Sequence, residues 1–227
     1  MRSRLIIAID GPSGAGKGTV ARALAAALGY RHVDTGAMYR AVGWRVLHQG
    51  LPLEDEHVVV GVAERATFDL EGGHVVIDGH DVTAAIRTPE IDRAATAVAR
   101  LSRVRSVLVA RQRAMGEAGG VVMEGRDIGT AVFPDADVKL YLDASPEERA
   151  RRRASDPAHT MHGTSLAQVA TALKTRDDSD RTRTASPLTI APDAHVVDTT
   201  GIAPEEVVRR VLEWIGPRIE RAGADRS

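Results

Sequence analysis

The amino-acid sequence predicts an α/β fold in which a parallel β-sheet is flanked by helices. Short runs rich in apolar, mostly β-branched residues occur at residues 5–9, 121–123, 138–142 and 196–197. Segments with the apolar spacing of helices separate these runs. Strands that alternate with helices are typical of parallel sheets with helical crossovers. The length of 227 residues suits one domain with a sizeable core.

Capping residues mark the predicted helix boundaries. A serine followed three residues later by Glu or Gln is a capping box, and proline is favoured at the first helical position. Glycine directly after the last helical turn suits a left-handed cap. These signals predict helix starts at Ser145-Pro146 with Glu148, at Ser165 with Gln168 and at Thr88-Pro89, and helix ends at Gly29, Gly50 and Gly119.

The stretch between Gly50 and residue 121 is longer than one crossover helix requires. Residues 66–79 hold two short apolar segments around Glu71-Gly72-Gly73, which predicts a β-hairpin. Within a single domain over residues 1–227, we therefore expect a small inserted subdomain at roughly 62–95. Residues 154–164 are polar, contain Asp156-Pro157 and lie between two arginine-rich helices, so we expect a mobile loop there.

Composition and charge restrict the classes of function. The net charge is -1, and no basic stripe offers a path for a nucleic-acid backbone. The absence of cysteine excludes disulfides, thiolate metal sites and cysteine nucleophiles. The apolar run at residues 5–9 is too short for a signal peptide or a membrane span. We expect a cytoplasmic protein without a nucleic-acid or membrane partner.

A glycine-rich loop follows the first predicted strand and precedes a helical pattern. It reads Gly11-Pro12-Ser13-Gly14-Ala15-Gly16-Lys17-Gly18-Thr19. Such a loop turns successive N–H groups toward one anion, the helix N-terminus adds the positive end of its dipole, and the lysine reaches the β and γ phosphates. A glycine-rich turn with a solvated lysine is the alternative, and the strand–loop–helix context disfavours it. We expect the Lys17 side chain to face solvent in the empty loop.

Gly18 departs from the general pattern of phosphate-binding loops. The residue after the lysine is usually a Ser or Thr that holds Mg²⁺. Thr19 lies one position further on and is suited to a hydrogen bond with a phosphate. We therefore assign no protein ligand to a metal and expect Mg²⁺ to be held mainly by phosphate oxygens and water.

Arginines cluster in three separate segments of the chain: at Arg126, at residues 149–153 and at residues 176–183. Phosphoryl transfer spreads negative charge over the transferred group, and convergent guanidinium groups stabilise such charge. Arg126-Asp127 directly follows a predicted buried strand, where ligands gather in α/β sheets. For Arg149 and residues 151–153, a solvated helix face remains the alternative.

Four motifs together resemble the bacterial cytidylate kinases, a family of nucleoside monophosphate kinases. They are GPSGAGKGT at 11–19, DTGAMYR at 34–40, GRDIGT at 125–130 and RDDSDRTR at 176–183. The resemblance spans nearly the whole chain. It implies a core of five parallel strands, a nucleoside-monophosphate subdomain in the hairpin region and a lid at 154–164. It also implies transfer of the γ-phosphoryl group of ATP to CMP and dCMP, with Mg²⁺.

The resemblance also implies roles for individual residues. The catalytic residues would be Lys17, Arg126 and Arg183. ATP would be bound by Gly11, Pro12, Ser13, Gly14, Ala15, Gly16, Lys17, Gly18, Thr19, Arg149 and Arg153. CMP would be bound by Thr35, Tyr39, Arg40, Thr96, Arg105, Arg126, Asp127, Arg176, Asp180 and Arg183. Within this set Thr96, Arg105 and Asp127 would face the base, and Arg176 and Asp180 would hold the sugar hydroxyls.

Competing functions are separated by particular sequence features. Nucleotide-switch GTPases read guanine with an Asn-Lys-x-Asp segment, and this chain contains no asparagine. ATP-driven motors need a carboxylate pair after an apolar strand, whereas the strand at 121–123 is followed by Glu124-Gly125-Arg126. Another small-acceptor kinase of the UMP, AMP or shikimate type stays open as an alternative. We expect small nucleotides as partners and a monomeric chain.

Overall fold

A computed structural model describes residues 4–156 and 165–224 of the chain. The strands of this part, in chain order, are β1 (Ile6–Asp10), β2 (Arg31–Asp34), β3 (Phe68–Asp69), β4 (Val76–Ile77), β5 (His80–Asp81), β6 (Val121–Glu124), β7 (Val138–Asp143) and β8 (His195–Asp198). The helices are α1 (Lys17–Leu28), α2 (Thr35–His48), α3 (Glu56–Arg65), α4 (Pro89–Arg100), α5 (Ser102–Gly116), α6 (Pro146–Ala154), α7 (Leu166–Thr182) and α8 (Pro204–Ala224).

Five strands form one parallel sheet with the order β2-β6-β1-β7-β8. The predicted α/β fold is therefore confirmed, and the four predicted runs correspond to β1, β6, β7 and β8. The apolar-run pattern does not reveal β2, because Val33 is the only aliphatic residue among its four. This strand lies at the sheet edge, where polar side chains on one face are tolerated.

Both faces of the sheet are buried, which explains the nearly continuous apolar character of its central strands. In β1, Ile7 and Ile9 pack with α1 and α8 in one apolar cluster. Ile6 and Ala8 point to the opposite face and join a cluster that includes Phe133. Successive side chains of β1 therefore pack alternately against the helical layers on the two faces of the sheet.

The predicted helix starts are confirmed with one difference. Ser165 and Gln168 form the complete capping box of α7. The Ser145 hydroxyl accepts from the Glu148 N–H at the start of α6, but the box is not reciprocal. Glu148 binds arginines of its own helix instead.

Of the three predicted helix ends, Gly29 is a left-handed cap of α1. Gly50 is likewise a left-handed residue at the end of α2: its φ is positive, its N–H donates to the Leu47 carbonyl at 2.9 Å, and the Leu51 N–H donates to the Val46 carbonyl at 3.0 Å. The helix α5 ends at Gly116, and Gly119 has positive φ and donates to the Gly116 carbonyl at 2.9 Å, so it closes the turn between α5 and β6.

A small antiparallel sheet with the order β3-β4-β5 is inserted between α3 and α4. The predicted hairpin at 66–79 is the β3–β4 pair. The third strand was not predicted, and it follows a two-residue turn in which Asp78 and Gly79 both have positive φ. Ile77 packs against Ala37 and Ala41, so the small sheet rests on α2.

The predicted loop at 154–164 falls mostly outside the described residues, which stop at Asp156 and resume at Ser165. Its role as a lid stays a prediction. Among the described residues, no helix combines the length and apolar character that a membrane span requires.

The first prediction concerns Gly11, which follows β1. A Cβ at this position would overlap the carbonyl oxygen of Leu142, and backbone atoms of a central strand cannot move aside cheaply. We expect Gly11→Ala to lower the free energy of unfolding by at least about 3 kcal/mol. Gly29→Ala is the matched control. It also has positive φ but meets no atom within 4 Å, so we expect a loss of about 1 kcal/mol. Urea unfolding measures both, and equal losses would contradict the steric argument.

Candidate active site

A cavity of about 860 Å³ lies at the carboxyl ends of the strands of the large sheet. Such edges are where α/β sheets bind ligands. The phosphate-loop residues Ser13, Gly14, Ala15, Gly16, Lys17, Gly18 and Thr19 line it. So do Thr35, Tyr39, Arg40, Thr96, Arg105, Arg126, Asp127, Arg153, Arg176, Asp180 and Arg183. Gly11, Pro12 and Arg149 are the predicted site residues that do not line it.

The Lys17 side chain is folded back onto the loop. Its ammonium donates to the carbonyl oxygen of Pro12 at 2.7 Å, and the residue is only 7% exposed. The expectation that it faces solvent is therefore wrong, because the loop's own Pro12 carbonyl supplies an acceptor. Burial, together with the charge of Arg126, lowers the pKa of Lys17 to about 7.

Arg149 and Asp177 hold the loop from behind. The Ser13 N–H donates to Asp177 at 3.2 Å, and Arg149 donates to the Ser13 carbonyl at 3.1 Å. Arg149 also pairs with Asp177 and donates to the Ala144 carbonyl at 3.2 Å. Its guanidinium is thus engaged with the protein outside the cavity. The second residue of the RDDSDRTR motif fixes the shape of the phosphate loop.

The alternative that the arginines of α6 form a solvated face applies only to Arg151, whose side chain is 66% exposed. Arg152 is directed inward. It donates to the side chain and the backbone carbonyl of Thr199, at 2.9 and 2.6 Å. The Thr199 hydroxyl lies 3.2 Å from the Ala15 carbonyl. Arg152 therefore links α6 to the turn after β8 and, through it, to the phosphate loop.

The turn after β8 forms the end of the cavity beyond the phosphate loop. Its lining residues are Thr199, Gly201, Ile202, Ala203 and Pro204. These residues were not predicted to belong to the site. They follow the predicted strand at 196–197, so their place at the carboxyl edge of the sheet is the signal that could have revealed them.

An alternating series of charges lines the opposite half of the cavity. Asp127 accepts from Arg105 and from Arg183, the latter at 3.3 Å. Asp180 accepts from Arg126 at 2.9 Å and from Arg183 at 3.4 Å. Three guanidinium groups thus share two carboxylates. The series carries one surplus positive charge, which an anionic ligand would neutralise.

The Asp180 carboxylate stays ionised in this series. Burial alone would raise its pKa, but the charges of Arg126, Arg176 and Arg183 lower the pKa below its ordinary value. The site therefore presents fixed acceptors as well as fixed donors.

Arg105 keeps unused hydrogen-bonding capacity. It pairs with Asp127. However, its Nε and Nη1 atoms are buried without a hydrogen-bond partner among the described residues, and so is the Tyr39 hydroxyl. Burial raises the pKa of Tyr39 to about 12, so the phenol is protonated at neutral pH. Orphaned buried donors beside a cavity indicate that a ligand supplies the acceptors.

The remaining predicted residues are held by neighbouring carboxylates and backbone carbonyls. Arg40 pairs with Asp34 at 2.7 Å, and Thr35 donates to the Glu124 carbonyl at 2.7 Å. Thr96 donates to the Asp92 carbonyl at 2.9 Å, which leaves its oxygen lone pairs available. Arg153 and Arg176 both pair with the Asp92 carboxylate.

Glu124 and Arg22 lie beside Gly18, and a Cβ at that position would be 3.4 Å from Nη1 of Arg22. A Cβ on Gly18 would be 3.2 and 3.5 Å from the two carboxylate oxygens of Glu124. His32 fixes the carboxylate with a contact of 2.8 Å. No cluster of three or more metal-binding side chains occurs in the described ranges.

The sequence model of the cytidylate kinase family matches residues 7–216. The chain belongs to this family. The cytidylate kinase of Solibacter usitatus is 46% identical over 224 residues, covering 96% of this chain and 95% of that protein. The cytidylate kinase of Caldanaerobacter subterraneus is 48% identical over 209 residues, covering 92% and 93%. The resemblance found in the four motifs is confirmed.

Comparison with solved structures supports the fold of this cytidylate kinase family member. A shikimate kinase from Bacteroides thetaiotaomicron aligns with a TM-score of 0.51 at 13% identity. The alignment covers 94% of this chain and 98% of that one. At this identity the likeness shows the P-loop kinase fold alone.

The second prediction tests the support of the phosphate loop. Asp177→Asn removes the buried carboxylate that pairs with Arg149. Removing one partner of a buried ion pair lowers the free energy of unfolding by about 3 kcal/mol or more. Asp178→Asn is the matched control, because Asp178 is the next residue and forms an exposed pair with Lys174 at 2.9 Å. We expect the control to lose less than about 1 kcal/mol of unfolding free energy. Urea titration measures the free energy of unfolding of both variants. An Asp177→Asn protein as stable as the control would show that Arg149 needs no carboxylate partner.

Proposed function

We propose that the chain transfers the γ-phosphoryl group of ATP to CMP and dCMP, giving ADP and CDP or dCDP. One observation carries the proposal. In a member of the cytidylate kinase family, a single cavity joins a phosphate loop to a buried Arg105–Asp127 pair. The loop suits a nucleoside triphosphate, and the pair supplies the donors and acceptors that a cytosine ring requires.

ATP occupies the half of the cavity that contains the phosphate loop. The backbone N–H groups of residues 11–19 and the N-terminus of α1 bind its phosphates, with Lys17 and Arg153. Its base extends toward the turn at Thr199, which is lined by Ile202 and Pro204. Arg149 acts by bracing the loop rather than by touching the nucleotide.

Mg²⁺ accompanies ATP in this proposal. The Glu124 carboxylate beside Gly18 supplies an oxygen acceptor for the water shell of an ion held mainly by phosphates and water, and the Arg22 guanidinium lies on the same side. When bound, the ion neutralises phosphate charge. Glu124 would hold the water shell in place, and His32 would hold Glu124.

CMP occupies the half of the cavity that contains the alternating charges. Its phosphate lies among Arg40, Arg126 and Arg183, with Thr35 and Tyr39 beside them. Arg176 and Asp180 hold the sugar hydroxyls. The inserted region at roughly 62–95 forms the acceptor-side subdomain, and residues 154–164 form the lid that excludes water from the reacting phosphates.

The cytosine base is read by Arg105, Asp127 and Thr96. The unpaired Nε and Nη1 atoms of Arg105 match the O2 and N3 acceptors of cytosine. Asp127 and the Thr96 oxygen accept from the exocyclic amino group. Uracil carries an N–H at N3 and a carbonyl at position 4, so it would face donor against donor and acceptor against acceptor.

The chemical step needs little beyond position and charge. As the γ-phosphoryl group leaves ATP, with ADP as the leaving group, and bonds to a CMP phosphate oxygen, negative charge spreads over its equatorial oxygens. Lys17, Arg126 and Arg183 stabilise that charge from fixed positions in a cavity shielded from water. The CMP phosphate is already anionic at neutral pH, so the attacking oxygen requires no strong base.

Small nucleotides are the proposed partners. The net charge of -1 supports a chain that acts on diffusible substrates rather than on a nucleic-acid backbone. We also propose that it works as a monomer in the cytoplasm. A coupled ADP-release assay across CMP, dCMP, UMP, AMP, GMP and shikimate tests the activity and its alternatives. A preference for any acceptor other than CMP or dCMP would overturn the proposal.

The third prediction tests base recognition. The wild-type kcat/KM should favour CMP over UMP by at least ~10²-fold, because the mismatch leaves buried polar groups unpaired. Arg105→Met should lower kcat/KM for CMP far more than for UMP and so narrow this ratio. In this variant Asp127 still pairs with Arg183 at 3.3 Å, so the Asp127 carboxylate is not left buried without a cation.

Arg103→Met is the control, since Arg103 is exposed on the same helix and outside the cavity. It should leave the ratio unchanged. An equal loss of activity toward both substrates in Arg105→Met would remove the base-reading role and leave the kinase assignment intact.

The fourth prediction concerns pH and Lys17. Burial in the folded protein lowers the pKa of Lys17 to about 7, so the ammonium is lost as pH rises through 7. Triphosphate charge raises the pKa again in the complex, so ATP binding takes up a proton above that pH. Affinity for ATP should therefore fall between pH 7 and 9, by up to about tenfold per unit.

Calorimetry in buffers of different ionisation enthalpy measures the affinity and the proton uptake together. Lys17→Met, which cannot titrate, should bind ATP weakly and without this pH dependence. An affinity that stays level from pH 7 to 9 in the wild-type protein would contradict the prediction.

A further inference from the structure

Asp92 on α4 joins two arginines that come from different helices. Arg176 of α7 donates its Nη1 to one carboxylate oxygen at 2.9 Å, and Arg153 of α6 donates its Nη2 to the other oxygen. The three side chains are only 15 to 18% exposed. We refer to Asp92, Arg153 and Arg176 as the α4 clamp. It connects the helix that follows the inserted sheet to the two helices that flank the residues between 156 and 165.

The α4 clamp separates two cavities. Arg153 and Arg176 line both the main cavity and a neighbouring one of about 560 Å³ between α4 and α7. Asp92 lines the smaller cavity and, within the described ranges, is not among the residues that line the larger one. The carboxylate therefore holds both guanidinium groups from the side opposite to the nucleotides.

The geometry leaves both arginines able to bind a ligand while they are held. Each uses one nitrogen on its own oxygen of Asp92, and a guanidinium has five N–H groups. Without the carboxylate, the two neighbouring guanidinium groups would repel each other. Burial and the charge of Arg176 lower the pKa of Arg153, whereas Asp92 raises it. The carboxylate is thus what allows two cations to lie side by side.

The two arginines belong to different halves of the proposed function, on which this inference rests. Arg153 faces the ATP phosphates, and Arg176 faces the sugar of CMP. We propose that Asp92 is a positioning residue that couples the two nucleotide sites. A nucleotide that draws one arginine into place also fixes the shared carboxylate, and this orders the other arginine for the second nucleotide. Because coupling is reciprocal, CMP should tighten ATP binding by the factor with which ATP tightens CMP binding.

The test compares the binding of one nucleotide in the absence and presence of the other. Calorimetry measures the Kd of CMP with and without a saturating non-hydrolysable ATP analogue. In the wild-type protein, we expect the analogue to tighten CMP binding by about fivefold or more. In Asp92→Asn, this factor should fall to below about twofold. Asp92→Glu, which keeps the charge, should recover most of it.

Glu90→Gln is the matched control. Glu90 lies in the same first turns of α4, is exposed and lines neither cavity. It makes the same carboxylate-to-amide change and should leave the coupling factor at the wild-type value. If the amide prevents folding, Asp92→Ser removes the carboxylate with a smaller side chain and repeats the measurement.

The outcomes distinguish this inference from the proposed function. A wild-type protein that binds both nucleotides without coupling overturns the role of Asp92 alone. So does an Asp92→Asn variant that melts earlier or binds each nucleotide more weakly but keeps the wild-type coupling factor, since that is the behaviour of a merely structural residue. A wild-type protein that binds neither nucleotide overturns both.

Discussion

The burial of guanidinium groups around one cavity is the constraint on which the rest of the site depends. A buried cation is costly unless a carboxylate lies beside it, and each inward-facing pair satisfies this condition. Asp127 and Asp180 serve Arg105, Arg126 and Arg183. These groups come from α5, from the loop after β6 and from the C-terminal end of α7. Their charges can therefore be paired only when these elements pack in this arrangement. Charge pairing and the assembly of the cavity are therefore one event.

The same constraint explains why α7 carries two buried aspartates with different partners. On α7, Asp177 faces the back of the phosphate loop, where it binds the Ser13 N–H and Arg149. Asp180 is three residues further along and faces the cavity, where it binds Arg126. Residues at this spacing lie on adjacent positions of one helical face. The helix thus fixes the distance between the donor loop and the acceptor arginines.

Sequence patterns reveal the parts of this molecule whose physics is local. The buried strands, the glycine-rich loop and the capping box at Ser165 depend on neighbours in the chain, and each was predictable. Arg149 was not, because its position behind the loop depends on Asp177, which is 28 residues away. The Lys17 contact was also not predicted, although its acceptor, the Pro12 carbonyl, lies in the same loop, because the folded shape of the loop decides which carbonyl faces the ammonium. A motif specifies which residues gather, but tertiary contacts decide which atoms face the ligand.

Carbonyl and carboxylate oxygens of the protein itself bind the cations of the site. Lys17 binds a carbonyl, and the guanidinium groups of Arg105 and Arg126 bind carboxylates. The desolvation of these cations is thus completed during folding, before any nucleotide arrives. Binding then adds an anion to a series of arginines and aspartates that already holds surplus positive charge, and the guanidinium groups of this series need little reorganisation. Such preorganisation is the main way in which a protein stabilises a transferring phosphoryl group. The carboxylates among the arginines therefore contribute to catalysis without touching the reacting atoms.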